Sequence, residues 1–153
     1  MELKELQKIE LEILLQVKEI CDKHNLVFYL SEGSLLGAVR HKGFIPWDDD
    51  LDIMMPREDY ERFLDIALEE LPCKYVLQCS KNLPTYWTGS AKVRTTQKTE
   101  FSQNQYLHLT KDVGPYIDIF PLDYVPKLSS FSQKIQNKMV RIFKNSCIEG
   151  EIK

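Results

Sequence analysis

No stretch of this chain approaches the ~20 consecutive apolar residues needed to span a bilayer, so no transmembrane segment is expected. Its start, Met-Glu-Leu-Lys-Glu, lacks the basic head and apolar run of a signal peptide, and a cytoplasmic protein is the expectation. Positive charge is not in excess. Lys and Arg number 20 against 23 Asp and Glu, for a net charge of −3, which excludes bulk nucleic-acid binding. Cysteine is sparse. Cys21, Cys73, Cys79 and Cys147 show no Cys-x-x-Cys spacing and read as core or surface thiols rather than a zinc site. What remains is a chain of 153 residues, 43% hydrophobic, long enough for one domain with a core.

The clearest periodic pattern opens the chain. Over residues 2–24, Leu3, Leu6, Ile9, Ile13, Val17, Ile20 and Cys21 recur at threes and fours, with Lys and Glu on the opposite face and Asn25 as the stop. This predicts an amphipathic helix that packs over a sheet. Its mixed charges argue against a lipid surface. Pro56 is placed to start a second helix, with Glu58 and Asp59 in its first turn and an apolar stripe of Tyr60, Phe63, Leu64, Ala67, Leu68 and Leu71 before Pro72 stops it.

Short strands are expected at 75–78, 91–95 and 116–120. In the middle one, Lys92 and Arg94 share a face opposite Val93. They either hold phosphate oxygens or face solvent on an edge strand. The loop 81–89 carries Tyr86 and Trp87, whose rings suit either a quaternary ammonium or loop packing. Residues 99–112 are polar and irregular around His108, and 130–143 has helical spacing at Phe131, Ile135, Met139, Ile142 and Phe143.

The chain is organised around residues 29–55. A short apolar run, 27–30, leads into Gly33-Ser34; a small-residue helix is expected from Leu35 to Arg40, ending in Arg40, His41 and Lys42. A loop punctuated by Gly43 and Pro46 then delivers Asp48, Asp49, Asp50 and Asp52 into the apolar run Leu51, Ile53, Met54, Met55. If this is a strand, Asp50 and Asp52 point the same way and Leu51 and Ile53 point into the core. Two such charges about 4 Å apart repel by roughly 4 kcal/mol at an effective dielectric near 20. A cation between them, Mg²⁺ or Mn²⁺, would remove that cost. A solvated acidic loop is the plain alternative. A calcium loop is a poor fit, since its sixth position is Ile53 rather than Gly and its twelfth is Asp59 rather than Glu. Asp118, a charge inside the apolar run 116–120, is the natural third carboxylate. Gly33 allows close approach of a ligand, and Ser34 is expected to cap the helix whose free N–H groups attract phosphate.

Strand, Gly-Ser, short helix, loop and Asp-apolar-Asp-apolar together resemble the nucleotidyltransferase superfamily. Residues 35–50, Leu-Leu-Gly-Ala-Val-Arg-His-Lys-Gly-Phe-Ile-Pro-Trp-Asp-Asp-Asp, closely resemble the signature of the LicD family, which includes fukutin and fukutin-related protein. Residues 117–123 resemble its second signature. One departure is Glu32, where members often carry a small residue such as glycine.

The resemblance implies an α/β fold: a small mixed sheet packed by helices, its core at 1–126 and a C-terminal helix in 127–153. It implies transfer of phosphocholine from CDP-choline to a sugar hydroxyl of a cell-surface glycan such as lipopolysaccharide, teichoic acid or capsule. Asp50, Asp52 and Asp118 would be metal ligands, with Asp118 alternatively taking the acceptor proton. Gly33, Ser34, Leu35, Lys92, Arg94 and Trp87 would contact substrate, and Arg40 would neutralise charge on the leaving CMP. Since family members usually continue further, the domain is expected to be incomplete. The alternatives are a non-catalytic nucleotide-binding remnant or another donor such as a CDP-polyol.

Overall fold

The computed structural model describes residues 1–83, 86, 88–96, 114–124, 134, 135 and 138. The opening pattern becomes helix α1, Leu3–His24, stopped by Asn25 in the left-handed conformation (φ 54°). Strand β1, Tyr29–Leu30, follows, then helix α2, Glu32–His41, ended by a second left-handed residue, Lys42. Strand β2 is Asp52–Pro56, and Pro56 also stands at the head of helix α3, Arg57–Glu70. Strands β3, Tyr75–Gln78, β4, Ala91–Thr95, and β5, Tyr116–Leu122, complete the sheet.

The strand order is β1-β2-β5-β4-β3. The β2–β5 pair is parallel and the other three are antiparallel, so the sheet is mixed. Period-two alternation sends Ile53, Met55, Val93, Ile117 and Ile119 inward, where they meet Ile13 and Val17 of α1 and Phe63 of α3. One sequence expectation fails here. Strand β4 lies between β5 and β3 rather than at an edge, so Lys92 and Arg94 are not on a solvated margin.

The chain divides into two compact units, Met1–Asp123 and Tyr124–Lys153. All the elements above belong to the first. In the second, Tyr124, Lys134, Ile135 and Lys138 are the described residues, and each is exposed. The expected helix over 130–143 falls mostly outside the described residues, as do His108 and Cys147. Among the described residues no helix is long and apolar enough to cross a membrane.

Helix α2 packs through Gly37 on the loop that follows it. A Cβ there would lie 2.6 Å from the Gly43 carbonyl oxygen and 2.9 Å from the Ile45 nitrogen, both backbone atoms that cannot swing aside. Gly37→Ala is therefore expected to cost about 2–3 kcal/mol, an overpacking penalty, read as a lower urea midpoint at unchanged slope. A loss under about 0.5 kcal/mol, the usual range for surface changes, would show that the helix can lift freely.

Candidate active site

Register builds the centre of the site. Asp52 on β2 pairs with Asp118 on β5, and Asp118 pairs with Lys92 on β4. Side chains at paired positions share a sheet face, so three adjacent strands present carboxylate, carboxylate and ammonium in a row. Lys92 Nζ donates to both Asp118 oxygens at 2.7 Å. Burial lowers the Lys92 pKa even with Asp118 beside it. Asp52 is 8% exposed. Burial first, then the charges of Asp50, Asp118 and Glu32, push its carboxyl up to about 7, against a smaller opposing pull from Lys92.

Helix α2 is sewn to the first residue of β2. The Ser31 N–H donates to the Asp52 carbonyl at 3.0 Å, and the Asp52 N–H donates to Ser34 Oγ at 2.8 Å. This corrects the sequence reading of Gly33-Ser34. The helix starts at Glu32 after Ser31, so both residues lie inside its first turn and Ser34 caps nothing. The Leu35 N–H, expected to meet phosphate, donates instead to the Ser31 carbonyl at 3.1 Å. The turn's left-handed residue is Glu32, at φ 45°. Glycine takes that conformation without steric cost and glutamate does not, which gives the departure at this position a physical meaning. A Cβ at Gly33 would sit 2.6 Å from Asp48 Oδ2, the end of a side chain that can turn aside.

The acidic run is a loop up to Leu51, and β2 begins only at Asp52. Asp50 therefore does not share a strand face with Asp52, as alternation had suggested. It gathers instead with its neighbours: Asp48, Asp49 and Asp50 each offer a carboxylate oxygen within 4.8 Å of the others. Burial, then the charges of Asp48 and Asp49, raise the Asp50 pKa. The loop is tied to α1 by Gln7, whose Nε2 donates to the carbonyls of Ile45 and Asp48 at 3.2 and 2.8 Å.

The sequence reading passed over Glu10. It put the glutamates of α1 on the outer face, yet Glu10 is buried in line with Leu6, Ile13 and Val17. The signal was available, since position 10 stands four after Leu6 and three before Ile13, within the apolar stripe. Among the described residues its Oε2 has no hydrogen-bond partner. Burial, followed by the charges of Asp50, Asp49, Asp48 and Asp52, drives its pKa up to about 9.

The remaining candidates divide. Arg94 does share a face with Lys92, but it is 4% exposed, with Nε on Gln78 Oε1 at 3.3 Å and Nη1 on the Gly114 carbonyl. A guanidinium held this way braces the sheet. Tyr116, which sequence reasoning did not single out, carries Lys92 Nζ 3.8 Å and Arg94 Cζ 4.4 Å from its ring centroid. Arg40 is exposed on the last turn of α2 and makes no hydrogen bond or ion pair among the described residues. Trp87 lies outside the described residues, while Tyr86 is half-buried.

A mixed sheet that sets carboxylates beside the first turn of a short helix has the construction of a nucleotidyltransferase-type domain. The chain belongs to the LicD family, since residues 25–149 match the family described as "LicD/FKTN/FKRP, nucleotidyltransferase domain". It is 31% identical over 140 residues to the lipopolysaccharide cholinephosphotransferase LicD of Haemophilus influenzae, which covers 92% of this chain and 51% of the relative. It is also 44% identical over 55 residues to an uncharacterized protein of Rickettsia typhi, covering 36% of this chain and 18% of that protein. The chain thus spans about half the length of the cholinephosphotransferase and less of the Rickettsia protein.

Proposed function

We propose that this domain transfers phosphocholine from CDP-choline to a sugar hydroxyl of a cell-surface glycan, with Mg²⁺ or Mn²⁺ held at the acid loop. The observation that carries the reading is the row Asp52–Asp118–Lys92, in register across three strands. Kinship with a lipopolysaccharide cholinephosphotransferase supports the choice of transferred group and acceptor. The residues present fit a hard divalent ion, since Asp48, Asp49 and Asp50 offer an all-oxygen donor set within 4.8 Å.

Asp48, Asp50 and Asp52 would hold the ion. Held there, the ion would supply positive charge for the donor diphosphate and the leaving CMP. Asp118, oriented by Lys92 through both oxygens, is the group for the proton of the acceptor hydroxyl. Ser34 Oγ accepts the Asp52 N–H and keeps its own proton to donate to phosphate. The N–H groups of Glu32, Gly33 and Ser34, which a helix cannot use internally, add to that contact. Arg40 is free to meet the negative charge on the leaving CMP. Catalysis of this kind rests on positioning and charge.

The test is calorimetry with CDP-choline, with Mg²⁺ and with chelator. Binding is expected only with the ion. Ser34→Ala should weaken it about tenfold, one hydrogen bond to a charged phosphate, and Arg40→Ala by more, since there both partners are charged. Equal affinity in chelator would overturn the reading. Tighter binding of CDP-ribitol than of CDP-choline would keep the chemistry and replace the donor.

A further inference from the structure

One strand supplies two partners to the Lys92 ammonium. Tyr116 and Asp118 stand two residues apart on β5, so their side chains share a face. The register sets Lys92 of β4 opposite Asp118 and Arg94 opposite Tyr116. Lys92 Nζ donates to both Asp118 oxygens at 2.7 Å and lies 3.8 Å from the centroid of the Tyr116 ring. A ring face attracts a cation, and more strongly where water is kept away. Here the lysine and aspartate side chains are only 19% and 17% exposed. The same ring meets Arg94, whose Cζ is 4.4 Å from its centroid and whose nitrogens are held by Gln78 Oε1 and the Gly114 carbonyl. The ring therefore has a fixed neighbour.

Lysine is a flexible cation that carries three N–H donors. Its hydrogen bonds to one carboxylate do not by themselves keep it from a diphosphate, which bears more negative charge. The ring adds an attraction that exists only in the pose at Asp118. We propose that Tyr116 is a positioning residue for the transfer reaction: its ring face commits Lys92 to Asp118 and withholds it from the donor phosphates, so that Asp118 keeps the orientation in which it takes the acceptor proton. This rests on the role given to Asp118 above. Tyr116 acts through Lys92 and does not touch substrate.

The experiment follows CMP release from CDP-choline by the full chain, with Mg²⁺ and lipopolysaccharide as acceptor. It compares the wild type, Tyr116→Phe, Tyr116→Leu and a variant with pentafluorophenylalanine in place of Tyr116. Tyr116→Phe keeps the negative ring face and should hold kcat within about threefold. The fluorinated ring keeps the shape of phenylalanine but loses the attraction. It should lower kcat about tenfold, with KM for CDP-choline within about twofold. Tyr116→Leu should do the same and serves should the fluorinated variant fold poorly. In a Lys92→Met background the fluorinated ring should cost nothing further, the non-additivity expected of a residue that works through its neighbour. A fluorinated variant as fast as Tyr116→Phe would show that the ring only fills space. A raised KM at constant kcat would show that it meets substrate, and a loss that persists in Lys92→Met would show that it works by another route. Each of these overturns the positioning role and leaves the transfer reading standing. No CMP release by the wild type would remove the transfer reading and this inference with it.

Discussion

Asp52→Asn should lower CMP release from CDP-choline by about 10²–10³, the usual loss when one preorganised charge contact is removed, while making the ion-free protein more stable. The two effects have one origin. Asp52 is almost fully buried, with Asp50, Asp118 and Glu32 all opposing its ionisation. An amide of the same shape removes that repulsion. It keeps the links to α2, because both pass through the Asp52 backbone. A gain of ~1 kcal/mol would raise Tm in chelator by about 2–4 °C for a chain of this size. Such trade-offs arise where a functional site is held in an unfavourable arrangement. Paired rate and melting measurements check both parts. Turnover like that of the wild type, or a lower Tm in chelator, would mean that Asp52 is a structural acid and not a working one.

The second large effect is on stability against pH. Glu10 goes from an ordinary 4.5 to about 9 on folding, and Asp52 from 3.8 to about 7, both chiefly by burial. The folded chain therefore binds more protons than the unfolded one across this interval, and stability falls as pH rises. The contribution is fully present below the unfolded pKa values, near 4, and is gone once pH has passed the folded value of Glu10. Each proton changes stability by about 1.4 kcal/mol per pH unit at most, so the whole loss is on the order of several kcal/mol. Glu70, bonded to Lys23 and His24, and Asp123, bonded to Arg57, are held below the ordinary range. They act in the opposite sense, but their contribution is complete once pH exceeds that range, so the two windows separate. Urea unfolding in chelator at pH 5, 7 and 9 should give a steady decline, and Glu10→Gln should flatten its upper half. Stability that rises from pH 5 to pH 9 would contradict the burial of these two acids.

The strands were readable where local pattern and tertiary setting agree. Residues 91–95 alternate and 75–78 form a short apolar run, and they become β4 and β3 at those bounds. Asp118 stood out as a charge in an apolar run, and β5 does bring it opposite Asp52. The start of α2 was misread because Gly and Ser usually mark turns. Here Gly33 lies inside the helix with Asp48 beside it, and the positive φ falls on Glu32. Ser34 was taken for a cap because capping is local, whereas its real partner lies 18 residues on. Arg94 could not be placed without the strand order, which no stretch of β4 encodes. Asp50 was assigned to the strand by alternation, but β2 starts two residues later. Glu10 escaped because a search for periodic apolar residues skips the polar member of the same stripe.

The family match begins at residue 25, just past the last residue of α1. The family domain and the architecture therefore draw different borders. A gene fragment cut at the start of the family domain would keep both signature stretches. It would lose Ile13, Val17 and Ile20 from under the sheet, and the Gln7 amide that seats the acid loop. The part of the chain that lies ahead of the family domain is thus the floor on which its signature stretches stand.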